Sequence, residues 1–580
     1  MNIIEEIKVL IIDALKALGI DYSKEIVLEH PDELGHGDYS SNIAFMISKE
    51  LKKKPVELAG DIVEAIKTKL SAESRISKIE VAGPGFINFF LADRFVAEKI
   101  CSVVNDEQNF GHSSVEANKK VIVEYTDPNT FKVFHIGHLM ANAIGESIAR
   151  LIESSGAKVF RVCYPSDIGL HIAKAIWAIE KNISNMPDET VSIQEKTDFL
   201  GKMYVLGTKT YDEDLIAKKE IDELNKKIYE KSDTKINDIY EKGRKWSLDH
   251  FELIYKLLGT KFDKYIYESE MAEIGKDIVR QNLIRGIFEI SEGATVFKGE
   301  KYSLHTRVFI NSQGLPTYEA KDLGLNVTKF KDYPDLDESI IITANEQNDY
   351  FKVLKQVFLL IDEKNGSKTR HIGHGMMRFL SGKMSSRTGN VVTAEALISD
   401  IKDLVKEKIQ DRKFNVEEIE EIANVVAVGA IKYTILRSSV GSNIIFDSAS
   451  SISFEGDSGP YLQYSAVRAQ SILDKAKEVN ISSEFNYNKK MDFPEKANSL
   501  EKKIIKFEEV VARARREYAP QTIATYLVDL AGEFNSFYAS QVIIDNKNPL
   551  SHYFVILTKA FLITMTNGLD LLGIKVPRKM

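Results

Sequence analysis

Cysteine is nearly absent: 580 residues carry two, Cys101 and Cys163. Two thiols cannot make a disulfide framework, a four-cysteine zinc site or an iron–sulfur site, so the sequence predicts a reducing, cytoplasmic setting and no zinc. Long apolar runs are missing too. No stretch reaches about 18 uninterrupted apolar residues, and the expectation is that nothing spans a bilayer. The opening MNIIEEIKVLIIDALKALGI is broken by Glu5, Glu6, Lys8 and Asp13 and has no small-residue cleavage site, so it reads as an amphipathic helix rather than a secretion signal. Pro (13) and Gly (33) are too few for collagen-like or low-complexity chains, and 44% hydrophobic with 28% charged residues is ordinary globular composition. There is no excess of positive charge: 77 Lys+Arg against 85 Asp+Glu gives −8, which argues against a nonspecific nucleic-acid coat. Residues 456–580 reverse the sign, with 17 Lys+Arg against 14 Asp+Glu.

The length predicts several domains. Residues 1–112 combine helical patterns at 2–18 and 55–70 with the run IEVAGPGFINFFL, broken by Gly83-Pro84-Gly85, and read as a small α+β domain. From 119, KKVIVEY is a strand, TDPNTFKVF a loop, HIGHLMANAIGESIARLIESSG a helix with Met140, Ile144, Ile148, Leu151 and Ile152 on one face, and AKVFRVCY a second strand. This β-loop-α-β unit predicts a parallel, Rossmann-like α/β sheet over 113–395. Further strand-like runs lie at 306–311, 339–343 and 369–373, while the charged stretch at about 171–290 reads as a helical insertion. Residues 396–455 read as a helical connector and 456–580 as an all-α domain, without strands after about 395.

Two motifs carry chemistry. His135-Ile136-Gly137-His138 sits at a helix start after a strand, where orphan N–H groups, a glycine and two imidazoles suit phosphate oxygens. Alone, a His-x-x-His pair reads equally as structural or zinc-binding. Lys383-Met384-Ser385-Ser386-Arg387, flanked by Gly382 and Gly389, combines a point charge with adaptable hydroxyls for a polyphosphate. The string His-Ile-Gly-His recurs at 371–374, but only MMRFLSG connects Gly375 to Lys383, leaving no room for a helix, so this copy is expected at a strand end feeding the Lys383 loop.

Together the pair resembles the two signatures of class I aminoacyl-tRNA synthetases. VIVEYTDPNTFKVFHIGHLMANAIGESIARL, GLPTYEAKDLGL, HGMMRFLSGKMSSRTGNVV and GDSGPYLQYSAVRAQSIL resemble the arginyl-tRNA synthetases more particularly, as do GDYSSNIA, VAGPGFINF and LLGIKVPRKM, so the likeness spans nearly the whole chain. It implies activation of L-arginine by ATP, with Mg2+ on the phosphates, and transfer to tRNA(Arg). By this resemblance His135, His138 and Lys383 are catalytic. ATP would meet Pro128, Asn129, His135, Gly137, His138, Lys383, Met384, Ser385 and Ser386. Glu124 and Asp322 would hold the guanidinium, a planar fork that demands carboxylates; Tyr318 would shape the pocket, and Asn129 and Gln347 would fix the α-amino and carboxylate end. The family's domains imply an N-terminal domain on the tRNA elbow and a C-terminal anticodon domain in which Tyr461, Tyr464, Arg468, Arg513, Arg515 and Arg516 offer aromatics and charges. A monomer is expected.

The chain departs from the family pattern at Asp127, where Ser is usual, and at Ser166-Asp167-Ile168-Gly169-Leu170-His171, where Gly-Asp-Trp-Gly followed by Gln is usual. Competing readings are another class I synthetase, a small nucleotidyltransferase, and a catalytically inactive tRNA-binding paralogue. Lys383 lies 245 residues after His138, which leaves little room for a large editing insertion, and intact His135, His138 and Lys383 speak against an inactive chain.

Overall fold

The computed structural model describes residues 3–31, 34–71, 74–380, 392–486 and 491–580. Contacts divide the chain into two compact units, each discontinuous in sequence: Met1–Phe110 with Arg468–Glu508 and Asp529–Met565, and Gly111–Val467 with Glu509–Val528 and Thr566–Met580.

In the first unit, helices Ile3–Ala17, Ile43–Leu51 and Pro55–Lys67 pack on a four-stranded sheet through Ile7, Ile11, Leu15, Ile47, Leu58, Ile62, Ile87 and Phe89. Strands Ile76–Ala82 and Phe86–Leu91 form an antiparallel hairpin around the Gly83-Pro84-Gly85 break. Gly85 is obligatory there, because its φ is +132° and a Cβ would lie 2.8 Å from the Pro55 carbonyl carbon. One helix, Ser551–Leu571, is long and apolar enough by composition to cross a membrane, although 72% of its apolar window is buried inside the protein. The expectation that nothing could span a bilayer rested on uninterrupted runs; Thr558 and Lys559 break this one without making it polar.

The second unit is built on five parallel strands: β1 (Lys120–Glu124), β2 (Lys158–Cys163), β3 (Lys264–Tyr265), β4 (Glu338–Ala344) and β5 (Thr369–His374), in the order β5-β4-β1-β2-β3. The order reverses between β1 and β4, and the carboxyl ends of strands flanking such a switch point are where ligands bind in open α/β sheets. Helix Ile136–Ser154 crosses from β1 to β2, and a Cβ on its Gly145 would lie 2.3 Å from the Tyr125 ring, so the glycine lets the helix pass against that side chain.

Three features differ from the sequence expectations. Strand β3 and the helix Glu268–Ile284 lie inside 171–290 and belong to the sheet and its flank; two strand residues are too few to show alternation. The run at 306–311 is a strand, Arg307–Ile310, but it pairs antiparallel in a separate three-stranded sheet. A late strand, Ile444–Phe446, pairs with Met377–Phe379. The insertion proper is helical: Ile193–Glu213, Leu215–Glu230 and Thr234–Leu258, each starting on a side-chain cap from Ser192, Asp214 or Asp233.

The segment 566–580 docks in this unit through its main-chain carbonyls. Ser147 Oγ donates to Leu571 O (2.8 Å), Arg150 to Asp570 O (3.2 Å), Lys432 Nζ to Gly573 O (2.8 Å) and Gln463 Nε2 to Lys575 O (2.7 Å).

Candidate active site

The loop after β1 is held by buried Tyr125, Phe131 and Phe134 while Thr126, Asp127 and Phe131 take φ values of +83°, +42° and +61°. A β-branched residue at +83° is strained and survives only where its surroundings over-determine it. Here Asn142 Nδ2 donates to Thr126 Oγ1 (3.0 Å), and Thr260 Oγ1 fixes Asn142 in turn (2.9 Å). Ser166 N donates to Pro128 O (3.0 Å), and Asn129 bridges to Ser166, which joins this loop to the one after β2.

At the helix start, Gly137 N donates to His135 Nδ1 (3.1 Å) and His135 N donates to His138 Nδ1 (3.3 Å), with the rings stacked 3.7 Å apart. Burial, then Lys132, lowers the His135 pKa to about 4; burial, His135 and Lys132 push His138 well down. Both rings are therefore neutral at pH 7. Since each Nδ1 accepts, each Nε2 must carry the hydrogen, giving two parallel N–H donors. The helix N-terminus itself is less open than the sequence implied, because Ile136 N is taken by Val392 O and Gly137 N by the His135 ring. Gly137 serves the imidazole: a Cβ would lie 2.9 Å from His135 Cε1.

Beside this lies a cluster of carboxylates. Three have cationic partners: Glu124 is paired with buried Lys329 (2.8 Å), Asp167 with half-buried Arg244 (2.7 Å), and Glu268 with buried Lys321. Burial works against the Lys321 ammonium, and Glu268 together with Tyr229 and Tyr318 outweighs it. Asp322 and Asp127 have no ion-pair partner among the described residues. Asp322 accepts from Tyr350 Oη (2.6 Å), and burial, reinforced by Glu268 and Glu124, pushes its carboxyl up to about 8. Asp127 accepts from Tyr164 N (2.7 Å) and is raised by burial and then by Glu124. Tyr318, half exposed, stands one turn before Asp322 on the helix Tyr318–Asp332.

Lys329 and Glu124 carry a stability prediction. Replacing Lys329 with Met leaves a buried carboxylate unpaired beside Asp127 and should cost about 3 kcal/mol. Thermal unfolding should show the loss, and adding Glu124→Gln should recover most of it; an unchanged midpoint for Lys329→Met alone would refute the pairing as a stabilising element.

Gln347 ends the short turn after β4 and is exposed. The second His-Ile-Gly-His lies on β5, with His371 stacked on Phe351 (4.0 Å) and His374 donating to Gly375 O (2.7 Å). Lys383, Met384, Ser385 and Ser386 lie outside the described residues. In the C-terminal helices, Arg513 and Arg516 are exposed and Tyr461 and Tyr464 partly buried; Arg468 donates to Asn535 Oδ1 (2.6 Å). Arg515 is turned inward, 9% exposed and held by Glu116 (2.8 Å), which makes it a strut rather than an open phosphate contact. Sequence reasoning missed Glu268, Lys321, Lys329, Tyr164 and Tyr350; of these Lys321 stands in the quoted GLPTYEAKDLGL without being singled out, and Asp127 left a signal as a departure from the family pattern.

Comparison with known proteins agrees with this geometry. Residues 99–448 match the family described as tRNA synthetases class I (R), catalytic domain; residues 462–580 match the DALR anticodon binding domain, and 5–91 the arginyl tRNA synthetase N terminal domain. The arginine–tRNA ligase of Borrelia hermsii is 32% identical over 568 residues, covering 96% of this chain and 94% of the relative. That of Porphyromonas gingivalis is 31% identical over 562 residues, 93% of each. The fold is shared with the Thermus thermophilus arginyl-tRNA synthetase (TM-score 0.79, 22% identity, 99% of this chain and 100% of that one) and with the Plasmodium falciparum enzyme (TM-score 0.79, 21% identity, 99% of each). A strand-loop-helix with paired imidazole donors, a carboxylate-rich pocket and full-length likeness converge: the chain belongs to the class I arginyl-tRNA synthetases.

Proposed function

We propose that this protein is an arginine–tRNA ligase, which joins L-arginine to ATP as arginyl-adenylate and passes it to the 3′ end of tRNA(Arg). The observation that carries the reading is the charge imbalance of the site: five acids share three cations, Asp322 and Asp127 have no ion-pair contact among the described residues, and arginine brings two positive ends, a guanidinium and an α-ammonium. The arginine carboxylate must reach the α-phosphorus, so the α end lies toward His135 and His138, with Asp127, Asn129 and Gln347 about it. The guanidinium then points to Asp322, under Tyr318, since Glu268 is already paired with Lys321. Glu124, named for the guanidinium by the family likeness, is occupied by Lys329 and sets the field around Asp127 instead.

No protein nucleophile is needed. The attacking carboxylate is the substrate's own and pyrophosphate leaves, so the protein's part is positioning and charge stabilisation. Nε2–H of His135 and of His138 donates to α/β-phosphate oxygens; by the family likeness Lys383 serves the β/γ side, and Met384, Ser385 and Ser386 contact ATP. Mg2+ enters as a ligand of the ATP phosphates, which supply the oxygen donors it favours; among the described residues no three His, Cys, Asp or Glu side chains converge on a metal position. Residues 1–112 would meet the tRNA elbow and 456–580 the anticodon, through Tyr461, Tyr464, Arg468, Arg513 and Arg516. The reading includes action as a monomer in the cytoplasm, consistent with two buried free cysteines.

The test is ATP-dependent charging of total tRNA with each of the twenty amino acids. Arginine alone should be charged; charging of lysine or cysteine instead, or of nothing, would defeat the reading. A pH dependence follows from Asp322. Free, with its carboxyl raised to about 8, it is mostly protonated at pH 7, and the guanidinium binds only the carboxylate form. Arginine binding should therefore release about 0.9 proton at pH 7, and affinity should rise up to tenfold per pH unit below 8 and level off above it. Calorimetry in buffers of different ionisation enthalpy reads the release directly; zero release at pH 7 would exclude it.

A further inference from the structure

Tyr164 follows β2, and its ring packs with Ile122, Val162, Ile266, Met271 and Leu325 in the core under the pocket. Its hydroxyl is buried and has no hydrogen-bond partner among the described residues. Around it stand acids rather than apolar groups. Burial keeps the phenol proton on, and Glu268, Asp322, Glu124 and Asp167 reinforce that in this order, while Tyr350, the donor to Asp322, is also its neighbour. The backbone of the same residue is not loose, since Tyr164 N is fixed by Asp127 Oδ1.

An orphaned buried hydroxyl costs free energy unless something completes it, and nearly all such groups in folded proteins are paired. A core tyrosine without a role would be served equally well by phenylalanine. The missing partner must carry N–H donors, because the carboxylates already present are acceptors, and the site lacks cations rather than anions. A guanidinium meets both conditions. Its five N–H donors exceed what one carboxylate can accept, so after a bidentate pair with Asp322 it still has hydrogens to place.

We infer that the Tyr164 hydroxyl is a specificity-determining group of the arginine pocket, accepting an N–H of the guanidinium. This rests on the proposed function and adds to it a residue outside both signatures. The phenol oxygen offers no charge, so its contribution is geometric: it distinguishes a planar donor fork from the ammonium of lysine, whose three N–H bonds radiate from one atom and can be satisfied by carboxylates alone. A position that is silent in the free protein thereby becomes part of the selection step, because an incoming side chain that cannot reach it leaves the orphan in place.

Tyr164→Phe removes one oxygen without altering shape. The expected result, on the full-length protein, is a rise in the dissociation constant for L-arginine of about 10- to 100-fold, with KM for ATP and kcat at saturating arginine changed less than about threefold. Thermal stability should be unchanged or higher, as deletion of an unsatisfied hydroxyl requires. Agmatine, which keeps the guanidinium and lacks the carboxylate, should lose affinity by the same factor as arginine, and discrimination against lysine should fall. Unchanged arginine and agmatine affinities in a stable Tyr164→Phe protein would overturn the inference while leaving the proposed function intact. A lower melting temperature with equal losses for ATP and arginine would mark Tyr164 as a packing residue only, and overturn it as well. If the unaltered protein binds no arginine, the function itself fails, which the wild-type control reports separately.

Discussion

Asp322→Asn should reduce kcat/KM for arginine by about a thousandfold or more, almost wholly through arginine binding, because a site built to pair a charged fork loses both the charge and a bidentate acceptor. Asn keeps the shape and still accepts from Tyr350 Oη, which holds the present side chain at 2.6 Å. The loss should not come with unfolding. In the free protein Asp322 sits among Glu268 and Glu124 with its carboxyl raised to about 8, so at pH 7 it is already mostly neutral, a neutral amide alters little, and the melting temperature should hold. ATP–pyrophosphate exchange and urea unfolding separate the two effects. Arginine KM within about threefold of the wild type would sink the guanidinium assignment. The same substitution should remove the share of the proton release at pH 7 that Asp322 contributes.

His138→Asn should slow adenylate formation by about 100- to 1,000-fold, the usual consequence of deleting one preorganised donor to a developing negative charge. Asn is the informative replacement because the histidine does two jobs. Its Nδ1 accepts from His135 N at 3.3 Å, a cap that Asn Oδ1 can reproduce, whereas its Nε2–H reaches outward, where Asn is too short. His138→Gln reverses the choice, restoring reach at the expense of the cap, and should recover part of the rate with a lower melting temperature. Both histidines are held neutral by burial, His135 titrating at about 4, so their contribution should be flat from pH 6 to 8. A wild-type rate in His138→Asn single-turnover assays would remove the imidazoles from the phosphate site.

The catalytic sheet and its signature helix were legible because their signals are local. A β-branched run, a proline-broken loop and a 3.6-residue repeat lie within residues 119–164, and the structure has β1, the helix Ile136–Ser154 and β2 there. The tautomers of the histidines were not legible, since they depend on which backbone N–H each ring receives. The arginine pocket was half legible. Tyr318 and Asp322 share a helix turn, as their spacing of four implied, but Glu268, Lys321 and Lys329 come together only through packing of two helices whose contact needs Gly275 and Gly324. A Cβ on Gly275 would lie 1.9 Å from Ala320 O, a closeness that no pattern in either segment announces. Lys329 was the least visible: a lysine in a solvated-looking TKFKD stretch is fully buried because Glu124 awaits it. Likewise Arg515 looked like one of three equivalent arginines, and Glu116, nearly 400 residues earlier, singles it out.

The docking of 566–580 by carbonyls has a consequence for how that segment can change over generations. Ser147, Arg150, Lys432 and Gln463 grip the main-chain oxygens of residues 571, 570, 573 and 575, and such oxygens are the same whatever side chains they accompany. The contact therefore works as a ruler rather than a lock: it is indifferent to most substitutions and sensitive to count, since gaining or losing one residue moves every oxygen out of register at once. Drift in spelling at constant length is the pattern of variation that such a ruler permits.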